Sequence, residues 1–190
     1  MEAATREFAD LGYARASLRA IASRAGVTTP VLYDHFESKR ALHLALLEEH
    51  ASDLRAHQGR ERDVPVGAPL ARALFEDFFA WVRENPYAWR MLFRDAPSDR
   101  DVASALREAQ RRSTEQIAAF VAMAPQLRTP AGLGRPQVEQ LVAEAVYGVL
   151  NGLVAWWWDN PEIEPSALAA VAHDLAWNGL GAMTGLGPGA

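Results

Sequence analysis

Between Arg15 and Arg40 the sequence places five cationic side chains, Arg15, Arg19, Arg24, Lys39 and Arg40, against Asp34 and Glu37, a local charge of +3 in a protein of net charge −5. Lys39 is the only lysine in the chain, and from Glu61 to the C-terminus the balance is −5. A basic stretch set apart inside an acidic protein suits a polyanion, because the distribution of charge governs local attraction more than its sum does. Other chemistries are thinly represented. The chain has no cysteine, which removes thiolate nucleophiles, disulfides and thiolate metal sites. No nucleophile stands beside a base, no glycine-rich phosphate loop opens a helix, and no strand pattern offers an α/β site; the sequence argues against an enzyme and requires no cofactor. His43, His50 and His57 recur every seven residues with Asp53 between them. Imidazoles and a carboxylate at helical spacing can share an ion or sense pH. A solvated helix face is the plainer reading, and no metal site is assigned.

The basic stretch reads as helix, tight turn, helix. Leu18, Ile21, Ala22 and Ala25 recur at the spacing of one buried helical face, with Ser17 as N-cap. Gly26 ends that helix by accepting a left-handed backbone, and Val27 supplies the apolar contact that follows. Thr28 caps a second helix from Thr29 to about Phe36, with Pro30 in its first turn and Leu32 and Phe36 turned inward. Thr29, Pro30, Tyr33 and Asp34 are left facing out. Two helices joined by so short a turn predict a helix-turn-helix, its second helix sized for the DNA major groove.

Gly12-Tyr13, Ser17-Leu18-Arg19, Ile21-Ala22, Ala25-Gly26-Val27, Leu32-Tyr33, His35-Phe36, Ser38-Lys39 and Ala41-Leu42 fall in an order and spacing that resembles the TetR family of bacterial transcriptional repressors. The resemblance covers roughly the first quarter of the chain. It implies that Lys39, Tyr33 and His35 meet DNA phosphates, that Arg19 matches a position from which some members reach a guanine edge, and that Thr29, Pro30 and Val31 lie where the recognition helix meets bases. The caps Ser17 and Thr28 complete the DNA-binding set. Asp34 departs from the aromatic or small polar residue often found in the family; it either repels phosphate or accepts from a cytosine amino group. Against the family, the chain starts inside the usual first helix with no basic arm ahead of it. Either the true start lies upstream or an arm contact to DNA is lacking.

The elements that must carry this motif are helical throughout. Ala4, Phe8 and Leu11 mark a first helix ended by Gly12, and Ser38 caps a fourth whose apolar side is Ala41, Leu42, Ala45, Leu46 and Leu54. Gly59 to Pro69 reads as an exposed loop. Further helices follow from Pro69 to Glu84, from Tyr87 to Phe93 ahead of Asp95-Ala96-Pro97, and from a Ser98 cap to about Met123. A Pro/Gly loop from Pro125 leads to a helix from about Pro136 to Trp158, on which Leu141, Ala145, Gly148, Gly152 and Ala155 form a stripe of mostly small residues. Nothing on its last three turns is charged, and such a helix needs a partner chain as cover. Ser166 caps the last helix, with Leu168, Val171, Ala172, Leu175 and Leu180 on its apolar side; Gly185 to Ala190 is expected to fray. In the resembling family the last two long helices pair with their copies in a four-helix dimer interface. The dimer set expected here is therefore Leu141, Ala145, Gly148, Gly152, Ala155, Leu168, Val171 and Leu175.

These elements make an all-α protein of about nine helices, with an N-terminal three-helix helix-turn-helix bundle, residues 1–48, and a C-terminal helical ligand-binding and dimerisation domain, residues 49–190. Phe78, Trp81, Trp89, Phe93, Phe120, Tyr147, Asn151 and Trp158 are the candidates to line an aromatic effector cavity. No uninterrupted apolar run reaches bilayer-spanning length and no signal segment is evident, so a cytoplasmic protein with no membrane partner is expected. The expected function is a homodimeric, ligand-responsive repressor that binds an inverted repeat in double-stranded DNA and leaves it when a small aromatic or hydrophobic effector binds. The alternative is an all-helical small-molecule or lipid-binding module without DNA function.

Overall fold

The computed structural model describes residues 1–60, 63–93, 97, 99–125 and 127–184, except for the side chains at 178 and 180–184. The Asp95-Ala96 and Ser98 signals, the Leu180 side chain and the terminal Gly185 to Ala190 lie outside what is described. Nine helices and no strands are found among the described residues: α1 (Glu2–Arg15), α2 (Leu18–Ala25), α3 (Thr29–His35), α4 (Lys39–Gln58), α5 (Ala68–Glu84), α6 (Pro86–Phe93), α7 (Arg100–Ala122), α8 (Arg135–Trp157) and α9 (Pro165–Thr184). The chain forms two compact units, residues 1–55 with 84–111 and residues 56–83 with 112–190. The first unit thus takes in α6 and the first half of α7, where the sequence division at Glu48 assigned only the first part of the chain.

In the first unit α1 packs on α2 and α6, and α2 packs on α3. Ala4 and Phe8 are buried as expected, but Leu11 is exposed, because Gly12 at φ 72° breaks the helical path and a further turn to Arg15 continues beyond it. Ser17 caps α2 by accepting from the Ala20 N–H at 3.1 Å. Gly26 adopts the left-handed backbone at φ 69°, and the Val27 N–H returns to the Ala22 carbonyl at 3.0 Å. Leu18, Ile21 and Ala22 are buried, and Ala25 is exposed. Ser38 caps α4 through the Ala41 N–H at 3.1 Å. The α4 core face includes His43 and Leu47 besides the expected Leu42, Leu46 and Leu54. The cap of α7 is Asp99, whose Oδ1 accepts from the N–H groups of Asp101 and Val102.

In the second unit α8 packs on α9. The buried side of α8 is Val138, Val142, Val146, Leu150, Val154 and Trp157, and the indole of Trp157 donates to the Ile163 carbonyl at 2.8 Å. Arg135 at the start of α8 donates to the carbonyls of Ala122 and Ala124, closing the end of α7. Among the described residues α8 is the one helix long and apolar enough to cross a membrane by length and composition. Its packed side belongs to the core of the unit.

Candidate functional site

The two motif helices present their polar and cationic side chains outward. On α3 no residue is fully buried: Pro30, Val31, Tyr33, Asp34 and His35 are exposed, Tyr33 at 55%, and Thr29 is half-buried. Thr28 stands at the cap position but makes no side-chain capping bond, unlike the capping role its sequence suggests, and it is exposed. Ser17 and Arg19 at the start of α2 are exposed as well. These side chains are open to solvent on two short helices packed against each other, and an exposed second helix of this kind has the dimensions of the DNA major groove.

Lys39 is engaged within the chain. Its Nζ donates to the backbone carbonyls of Tyr13 at 2.8 Å, Ala14 at 3.2 Å and Ala16 at 3.0 Å, and stands 4.7 Å from the Tyr13 ring centroid. All three ammonium donors are spent on the end of α1, where free carbonyls and the helix dipole favour a cation. The residue at the start of α4 therefore ties α4 to α1 and holds the motif between them. Next to it, Arg40 bonds Asp99 at 2.9 Å and Asp101 at 2.9 Å. Asp99 is held below the usual carboxylate range, first by the Val102 N–H and then by Arg40.

The recurring histidines on α4 do not share a face open to solvent. His43 is buried, its ring edge-on to Phe8 at 4.5 Å and to Tyr13 at 5.1 Å. Burial, and after it the charge of Lys39, lowers its pKa to about 4. His50 Nε2 bonds Thr5 Oγ1 at 2.9 Å, and burial is the main cause of its lowered pKa. Two of the three imidazoles thus join α4 to α1, and no group of three metal-ligating side chains is found among the described residues.

The second unit holds a cavity of about 340 Å³ that is partly open to solvent, within the size range of small-molecule sites. Leu74, Phe75 and Phe78 line it from α5, and Gln116, Ile117 and Phe120 from α7. Val146 and Leu150 contribute from α8, Ala176 and Trp177 from α9. Of the eight aromatic and polar candidates, Phe78 and Phe120 are brought together here. Trp81 is buried but does not line it. Trp89 and Phe93, 6.2 Å apart, belong to the first unit. On α8 the cavity side is Val146 and Leu150; Tyr147 and Asn151 are rotated about 100° from them, one residue on, and do not line it, nor does Trp158. The Asn151 amide donates to the Tyr147 carbonyl at 2.9 Å. Gln116 is not among the sequence candidates; the signal that marks it is its place four residues before Phe120, on the same face of α7.

A second feature of this unit is an open apolar face. Leu141 is 56% exposed and Leu175 57%, with Ala145, Gly148, Gly152, Ala155 and Val171 exposed along with them. A Cβ built on Gly148 or Gly152 would meet nothing within 4 Å. Leu168 is the exception: it is buried in the core, because α9 turns Leu168, Ala169, Ala172 and Ala176 inward.

A capped helix-turn-helix with an exposed second helix, in an all-helical chain whose second unit holds an apolar cavity, defines the class of helix-turn-helix transcriptional regulators. The family model described as bacterial regulatory proteins, tetR family, matches residues 1–46, and the model described as tetracyclin repressor-like, C-terminal domain, matches residues 67–179. The chain belongs to the TetR family of bacterial DNA-binding transcriptional regulators. Over 181 residues it is 28% identical to the HTH-type transcriptional activator FasR of Mycolicibacterium smegmatis, covering 94% of this chain and 80% of that protein. A TetR-like regulator from Rhodococcus sp. RHA1 superposes with a TM-score of 0.75 at 24% identity, over 94% of this chain and 92% of that one. FadR of Bacillus subtilis, solved in complex with stearoyl-CoA, does so with a TM-score of 0.74 at 15% identity, over 92% of this chain and 94% of that one. At such identities the two structures share the fold with this chain.

Proposed function

We propose that the protein is a dimeric, ligand-responsive repressor that occupies an inverted-repeat operator through α2 and α3 and leaves it when a hydrophobic effector enters the second unit. The observation that carries the reading is the apolar cavity, in a chain whose N-terminal residues present an exposed recognition helix. Thr29, Pro30 and Val31 face bases, Arg19 takes a guanine edge, and Ser17, Thr28, Tyr33 and His35 meet phosphates. Lys39 positions these groups from behind. The functional division falls near Glu48, with reading before it and sensing after it. Leu141, Ala145, Gly148, Gly152 and Ala155 on α8, with Val171 and Leu175 on α9, meet a second copy, whose close approach the glycines permit. Release requires only that the effector bind more tightly to the conformer with wrongly spaced reading helices. As a regulator of chromosomal DNA the protein works in the cytoplasm, and it has no catalytic step.

The relative named as an activator favours a second reading, in which operator binding recruits transcription and the effector sets its level. Selection of bound genomic fragments by parent protein and by an Arg19→Ala, Tyr33→Ala variant tests the core of both. One inverted repeat recovered by the parent alone is expected. No enrichment over bulk DNA at low salt would sink both and leave a helical binding module. A reporter fused to the recovered site then separates repression from activation by the sign of the response.

A further inference from the structure

We propose that the cavity admits an aliphatic chain bearing an uncharged hydroxyl-type group, and that Gln116 is the residue that selects for it. The inference rests on the reading of this cavity as the effector site. Among the described residues that line it there is no Lys, Arg, His, Asp or Glu, and the polar ones are Gln58 and Gln116. Gln116 Oε1 is buried and has no hydrogen-bond partner. A buried amide oxygen left unmade costs about 1–3 kcal/mol, so the unliganded protein holds an acceptor in want of a donor.

The charge of the walls decides the class of ligand. A carboxylate drawn into this lining would lose its hydration with no cation in return, which costs several times more than a neutral hydrogen bond gains. A charged head would have to stay outside while only neutral atoms entered. Oε1 itself is covered, so the Gln116 amide must turn to present Oε1 or Nε2 to the cavity, and a hydroxyl, both donor and acceptor, satisfies either. The volume of about 340 Å³ holds on the order of ten methylenes, each taking about the room of one water. Phe78, Phe120 and Leu150 supply the apolar walls against which such a chain packs.

The test uses the full chain and displacement of a neutral fluorophore, N-phenyl-1-naphthylamine, by decan-1-ol, decanamide and decanoate at mildly alkaline pH, where decanoate is ionised. The parent is expected to bind the alcohol and the amide at least about tenfold more tightly than the carboxylate. Gln116→Leu is expected to keep the fluorophore and lose about tenfold for the alcohol, the size of one buried neutral hydrogen bond. Decanoate competing as well as the alcohol on the parent overturns the inference, and this arm needs no variant to fold. An alcohol affinity unchanged in Gln116→Leu overturns it too. If the fluorophore is bound and displaced without preference, the selectivity fails while the effector site stands; if no probe binds the folded parent, both fall.

Discussion

Acidification should loosen the first unit through His43. The ring is 4% exposed between Phe8 and Tyr13, its Nδ1 is buried without a partner, and its pKa is lowered to about 4 by burial first and by Lys39 second. In the unfolded chain the same imidazole titrates near the ordinary 6.5. Stability from this group is therefore fully present above about pH 6.5 and is lost as pH falls from there toward 4, because the unfolded state takes up a proton that the folded state refuses. Near pH 5 the loss works out at about 2 kcal/mol, and it approaches about 3 kcal/mol once both states are protonated. Urea unfolding of the parent and of His43→Leu, at neutral pH and near pH 5, reads the difference. The variant has no imidazole to protonate, so its stability should fall less than the parent's by about 2 kcal/mol, whatever its stability at neutral pH. Carboxylates contribute to both proteins and cancel in the subtraction. Equal losses in the two proteins, or an NMR titration of His43 centred near 6.5, would refute the reasoning.

Other consequences follow from single contacts. Gly26→Ala places a Cβ at φ 69° with nothing within 4 Å of it, so the cost is backbone strain alone, about 1–2 kcal/mol in chemical denaturation, and a neutral result would remove the left-handed turn from the account. Ser17→Ala should cost about 1 kcal/mol through loss of the α2 cap, read the same way. Lys39→Met should lower the melting temperature and DNA affinity together, because three carbonyls of α1 lose their donor, whereas Tyr33→Ala should lower DNA affinity at unchanged melting temperature; the reverse pattern would return Lys39 to the phosphates. Leu175→Glu puts a charge on the open face of α9 and should convert a dimer to monomer in sedimentation with the protomer still folded; an unchanged mass would remove that face from the interface.

The DNA-reading part was legible because its physics is local. A cap, a left-handed glycine and an apolar face at helical spacing lie within a few residues of one another, and each restricts the backbone whatever surrounds it; Ser17, Gly26 and Leu18–Ile21–Ala22 behave accordingly. The cavity and the histidines were not legible, because they depend on which side of a helix another helix covers. On α8 one residue of rotation separates Val146, which lines the cavity, from Tyr147, which does not. Aromatic type favoured the second, and packing direction chose the first. The same ambiguity hid His43: a face carrying His43, His50 and His57 reads as polar, yet α1 approaches that side and offers Phe8 and Tyr13 to one ring and Thr5 to the next. Lys39 shows a subtler limit. Family resemblance implies a phosphate partner for its charge, but a free carbonyl and a phosphate oxygen make the same demand of an ammonium, and the three carbonyls at the end of α1 that it bonds could not be read from the sequence. Sequence reasoning is thus strongest where a residue acts on its own backbone and weakest where its partner is remote in sequence, which is the condition of every residue that lines the cavity.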